Sequence, residues 1–311
     1  MTTRRDLFAG AAVGTLIGVA PALADEPTAP NRAVQKPVLR GRAIAVTAFG
    51  RRAVVAHDRR RTIADIDRGQ AHVLDVGGQP LEVAVSPGGR LAAVTTASWD
   101  EPALALVDLH RHTVLTRVAV GPAPSHVAFT PDGARLIVTG GEQEGTAHVL
   151  DAHTFKVLAH SNIGIVPRGI APVADSAWVA INGAKHVAQI DTRTGHVLRR
   201  LHVAWLPDRA AASPDGRRLL VSHGGTHSAR VSVLNLHTGH VTRHDAGRLP
   251  SGVAWTRRGR ALVALGGAGA IVVLGHHRAH HVGGAPRGLV VAGGRAWTVD
   301  ALTGAVARVR V

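Results

Sequence analysis

A chain of 311 residues without cysteine excludes disulfides, thiol nucleophiles, thiolate metal sites and covalent c-type haem attachment, all of which need the sulfur. Hydrophobic residues make up 45% and aromatics only 3%, with 36 glycines and 16 prolines, a balance that suits many short strands between Gly/Pro turns. The net charge of +15 rests on arginine, since lysine occurs only at Lys36, Lys156 and Lys185, and the lack of aromatics to stack bases between the arginines argues against nucleic acid. The same Arg-for-Lys bias, with high Ala and Gly, is what GC-rich coding produces, so the charge alone points to no function.

The chain opens with Thr3-Arg4-Arg5-Asp6-Leu7-Phe8, which resembles the twin-arginine export motif. An apolar stretch from Leu7 to Ala20 and the small-x-small exit Ala22-Leu23-Ala24 follow it, completing the parts of a bacterial signal peptide. Gly10, Gly14 and Gly18 make the stretch weakly hydrophobic and it is short for a bilayer span. Residues 1–24 are therefore expected to be a signal peptide and 25–36 a Pro/Ala-rich linker. The mature protein is then periplasmic or secreted, with no membrane span after cleavage.

From residue 37 the chain repeats. Pro80, Pro124, Pro167, Pro207, Pro250 and Pro286 recur at spacings of 44, 43, 40, 43 and 36 residues, in or near the range of four-stranded propeller blades. Each proline precedes a short apolar run, and a turn such as Ser213-Pro214-Asp215-Gly216 follows. In that turn proline presets φ, aspartate bonds its own backbone and glycine accepts positive φ. A second strand and a third strand come next, the third ending in a turn such as Asp191-Thr192-Arg193-Thr194-Gly195. A first copy begins at Arg42, and the seventh runs from Arg287 to Val311, ending after its third strand. Its missing fourth strand is expected from the N-terminal segment Ala33 to Arg40, which would leave the ring without an open edge. The expected fold is thus all-β, a seven-bladed β-propeller of four-stranded antiparallel blades over residues 37–311, closed by an N-terminal strand.

Ser213-Pro-Asp-Gly, followed by LLVSHGGTHSARVSVLNLHTGHV, is similar to the YVTN-type β-propeller repeat of bacterial exported proteins. The likeness covers most of residues 42–311. It departs where that family has Tyr and Asn: these positions hold Leu, Trp or Val, and His57, Thr96, Gly140, His223 or Asp300. The resemblance implies an exported binding protein. Its more distant relatives, the amine dehydrogenase heavy subunit and the haem-binding domain of a nitrite reductase, imply the alternative of a propeller subunit in a periplasmic enzyme or redox system, amine dehydrogenase-like or lactonase-like. Fold does not decide between them.

The blade register also nominates sites. Residues just after each proline should lie at the channel mouth: Arg42, Glu82, Ser125, His126, Arg168, Asp208, Arg209, Ser251 and Arg287. Converging guanidinium groups suit carboxylate or phosphate; the alternative is that these arginines are solvated, or paired with Glu82 and Asp208. The ends of the second strands add His57, His223 and Asp300, with His227 nearby, and imidazoles with a carboxylate suit Zn or Cu. A further cluster, His276-His277-Arg278-Ala279-His280-His281, is expected in a third-to-fourth strand turn on the opposite rim. No Gly-x-Ser-x-Gly elbow and no phosphate-binding glycine loop ending in Lys-Ser/Thr occurs, so no catalytic residue is assigned. The expected partner is a periplasmic protein or a small anionic ligand, bound by a monomer.

Overall fold

A computed structural model describes residues 33–34, 43–57, 61–67, 70–97, 103–121, 123–225, 228–276 and 279–311. Among them every regular element is a strand, and the strands form seven four-stranded antiparallel sheets. Blade 1 spans residues 43–75, blade 2 79–118, blade 3 124–164, blade 4 167–202, blade 5 207–245, blade 6 250–281 and blade 7 286–310. The innermost strand of each blade touches that of the next, and blade 7 touches blade 1, so the ring is closed. This is a seven-bladed β-propeller.

Blade 7 obtains its fourth strand from the other end of the chain. Ala33–Val34 pairs antiparallel with Val306–Arg310, Ala33 opposite Arg308 and Val34 opposite Ala307. The strand therefore starts within the stretch expected to be a linker. The remainder of the expected donor, residues 35–40, lies outside the described residues, as do the expected signal peptide, residues 1–24, and Trp99-Asp100.

The core belongs to no single blade. Seven apolar clusters occupy the seven interfaces between neighbouring blades; Trp297 and Val299 of blade 7, for example, pack with Ala53 and Val55 of blade 1. Second strands are sandwiched on both faces, so they read as unbroken apolar runs. Arg218–His223 is buried at every position after the first. The outermost strands face water and alternate or open up, as in Val197–His202. A lone blade would leave both its faces bare, which makes the ring the unit of folding.

The repeated turns work as their residue types require. Gly216 takes φ +67, while Ser213 Oγ accepts from Arg218 N–H at 2.9 Å. Asp191 Oδ1 accepts from the N–H groups of Arg193 and Thr194 at 2.6 and 2.9 Å, which holds its carboxyl below the usual carboxylate range. Of the clustered histidines, His276 lies in the third-to-fourth strand turn, His280 and His281 lie in the outer strand Ala279–His281, and His277 is outside the described residues.

Candidate functional site at the channel mouth

Each innermost strand begins at the mouth, and each carries a bulge or register shift within its first few residues. The shift follows Ala43, Pro80, Pro124, Pro167, Pro207, Pro250 and Arg287 in the seven blades. A bulge sets two residues against one, re-aims a side chain and leaves backbone groups without ladder partners. Here fully buried hydroxyls on the second strands take those groups over. Thr95 Oγ1 accepts from Glu82 N–H and donates to Ser125 O of the next blade, both at 3.1 Å. Thr139 Oγ1 donates to Arg168 O at 3.3 Å, and Ser222 Oγ accepts from Arg209 N–H at 3.2 Å. The backbone of the mouth is thereby tied from blade to blade.

Side chains are rationed at this level by how closely the inner strands approach. A Cβ on Gly169 would stand 2.8 Å from Arg209 Cα, and one on Gly252 would stand 2.6 Å from the Gly288 carbonyl carbon. Glycine is required there, and three long side chains from other blades, Glu82, His126 and Arg209, meet at the axis.

Arg209 Nη1 bonds Glu82 Oε2. The two residues lie on blades 5 and 2 of seven, so this bridge crosses the channel. Arg209 Nε also faces Asp208 Oδ2 at 4.0 Å, and His126 Nε2 stands 3.7 Å from the same Glu82 oxygen. The side chains of Glu82, His126 and Arg209 are 13%, 8% and 18% exposed. Burial, then the charges of Arg209, Arg168 and Arg287, hold the His126 pKa well below the ordinary histidine value. The imidazole is therefore neutral despite its neighbouring carboxylate. Arg168 Nε is buried with no hydrogen-bond partner among the described residues, while Arg287 is exposed at the rim.

Of the mouth residues nominated by the repeat register, His126, Glu82, Arg209 and Asp208 form a chain, each within 4.0 Å of the next, and the charges of Arg168 and Arg287 act on His126. Arg209 faces two carboxylates there. For Arg209 the pairing alternative holds, since both Glu82 and Asp208 engage it. Arg42 lies outside the described residues. The sequence reading missed the hydroxyl layer, although its signal was present: Thr95, Thr139 and Ser222 each fall in the last three residues of a second strand.

The expected metal ligands do not come together. His57, His223 and Asp300 pair with Ala43, Pro207 and Pro286 respectively. They hold equivalent places in the second ring of strands, and equivalent places on blades 1, 5 and 7 are spread around the wheel. His223 has Nδ1 on Trp205 O at 3.1 Å and Nε2 on Ser232 Oγ at 2.8 Å, and burial is the main cause of its lowered pKa. Asp300 closes its own turn, accepting from Leu302 N–H and Thr303 Oγ1, both at 2.9 Å. His227 lies outside the described residues. Among the described residues no three His, Asp or Glu side chains are placed to hold a metal ion.

A second polar cluster lies on the far side of blades 1 and 2. Asp65, fully buried, faces Arg52 Nε at 3.1 Å and His112 Nε2 of the next blade at 3.3 Å. His112 stacks on His72 at 3.8 Å. Burial raises the Asp65 pKa, against the charges of Arg52, His112 and His72. Among the described residues no helix is long and apolar enough to cross a membrane.

No family model matches the sequence, and no curated protein matches it. Solved structures do match the fold. Hydrazine synthase of Kuenenia stuttgartiensis superposes with a TM-score of 0.74 at 17% identity, over 88% of this chain and 96% of the other. The β-propeller domain of Myceliophteria thermophila Cps50 (Swd1) superposes with a TM-score of 0.70 at 12% identity, over 90% and 99%. At such identities the likeness is one of architecture, and the architecture shared is the β-propeller.

Proposed function

We propose that this chain is an exported binding propeller of the YVTN-repeat type, whose channel mouth takes an anionic ligand through Arg168, Arg209 and Arg287. The observation that carries the reading is Arg168 Nε, buried and without a hydrogen-bond partner among the described residues, beside a neutral, buried His126. A buried guanidinium nitrogen left without an acceptor costs free energy, and an anion at the mouth would supply that acceptor. Guanidinium forks recognise carboxylate and phosphate by paired, charge-assisted hydrogen bonds. The Thr3-Arg4-Arg5 opening and the Ala22-Leu23-Ala24 exit support export.

Calorimetric titration of the full chain with malonate and with phosphate tests the binding reading. Saturable binding to the native protein is expected, weakened tenfold or more in Arg168→Gln at unchanged melting temperature without ligand. Absence of saturable binding by either anion would overturn it. A second reading, a subunit of a periplasmic enzyme complex, is favoured by the fold likeness to a hydrazine synthase chain. It requires a stoichiometric partner protein to co-purify from the native source.

A further inference from the structure

We propose that Glu82 is a built-in occupant of the anion site, a tethered carboxylate that an incoming ligand carboxylate displaces from Arg209. The inference rests on the reading of the mouth as an anion site and names the ligand class: a carboxylate, whose two-oxygen head the site already accommodates. Three observations carry it. Glu82 comes from blade 2, on the opposite side of the ring from Arg209, yet its carboxylate reaches the Arg209 guanidinium. Its Oε2 atom also stands 3.7 Å from His126 Nε2. One carboxylate oxygen therefore already stands where the three blades converge.

Arg209 would not be abandoned during such an exchange, because Asp208 of its own blade stays at 4.0 Å. Glu82 has room to leave, since its backbone is held independently by Thr95 Oγ1 and its side chain is 13% exposed. Gly169 and Gly252, at the equivalent places in blades 4 and 6, add no side chain that would pin Glu82. A ligand must then compete with an intramolecular group, and the affinity of the native protein is set by how well it outcompetes Glu82. Phosphate, being tetrahedral, gains less from a place shaped by a planar carboxylate.

The test is replacement of the tethered carboxylate by a free one. Acetate is titrated into the native protein, Glu82→Ala and the isosteric Glu82→Gln, with chloride at matched ionic strength as reference, following heat of binding and melting temperature. The inference expects acetate to bind Glu82→Ala at least tenfold more tightly than the native protein. It also expects acetate to restore the melting temperature that the substitution lowers, while chloride does neither. Glu82→Gln, which keeps the volume and loses the charge, should show the same gain in affinity if Glu82→Ala folds poorly. Equal or weaker acetate binding by the variants overturns displacement, yet leaves the anion reading standing wherever the native protein binds malonate or phosphate. If none of the three proteins binds any anion, both fall together.

Discussion

Acid should unfold this protein partly through His126. In the unfolded chain that imidazole titrates near about 6.5. In the folded protein burial and three guanidinium groups hold it well below that value. Between the two pKa values the unfolded state binds a proton that the folded state refuses, so stability falls on acidification through that window. Above about pH 6.5 both forms are neutral and the contribution is flat. Inside that window the slope is about 1.4 kcal/mol per pH unit, and the loss stops growing once the folded-state imidazole also takes its proton. His148, His186 and His223 are lowered too, with burial the largest cause in each, so the contribution of His126 must be taken by difference. His126→Gln keeps a polar group beside Ser125 Oγ, which stands 3.2 Å from the imidazole, and cannot take the proton. Denaturant titrations of both proteins from about pH 7 downwards should show the native protein losing more stability on acidification than the variant, by up to about 1.4 kcal/mol per pH unit below about pH 6.5. Equal losses would refute the reasoning, because His126 would then be charging normally amid the arginines.

The other predictions concern the frame that holds the mouth. Thr139→Val strips the hydroxyl that serves Arg168 O and should cost about 1–3 kcal/mol in denaturant unfolding; a loss under about 0.5 kcal/mol would mean that the carbonyl finds another partner. Gly169→Ala puts a methyl 2.8 Å from the backbone of the next blade, whereas Gly88→Ala meets nothing within 4 Å. The first should lose at least about 2 kcal/mol and the second stay within about 0.5 kcal/mol, and similar losses for the pair would contradict the close approach of the inner strands. Asp65→Leu leaves Arg52 facing a dry pocket, so the double variant Arg52→Met/Asp65→Leu should be more stable than Asp65→Leu alone by about 1 kcal/mol or more. Additive losses in that cycle would show that the two groups are not coupled.

Much of the wheel was legible because its punctuation is chemical. Prolines, the Pro-Asp-Gly turns and the Asp-x-x-Thr-Gly turns are demanded by particular φ values and particular orphan N–H groups, so they recur with each blade and expose its period. The mouth was legible for a related reason: a bulge follows the start of every inner strand, so counting from the proline finds the same depth in the channel each time. What the register could not supply is distance across the ring. Glu82 and Arg209 are 127 residues apart, and nothing local to either predicts that one reaches the other; paired and solvated arginines read alike in sequence. The same geometry keeps His57, His223 and Asp300 apart. Equivalent positions on different blades converge only in the innermost ring, and His57, His223 and Asp300 sit one strand further out. Asp300 was ambiguous besides, since Asp300-Ala-Leu-Thr-Gly304 closes a turn, and the carboxylate is used up by it.

The division of labour between layers explains why function should lie in so few residues. The interblade cores are built mostly from Val, Leu, Ile and Ala and hold the ring shut, while the hydroxyls of Thr95, Thr139 and Ser222 anchor the mouth by its backbone. With both frames in place, the side chains that project into the channel are not needed to close the ring. The chain nevertheless spends buried charge there: Glu82 and Arg209 are mostly removed from water, and a desolvated pair is at best weakly stabilising beside an apolar one. Four other blades show that the level can be lined by small residues, with Gly169, Gly252 and Gly288 as instances. Keeping charge at an axis that glycine fills elsewhere, with Arg168 Nε lacking a hydrogen-bond partner among the described residues, is what the proposed anion site would require.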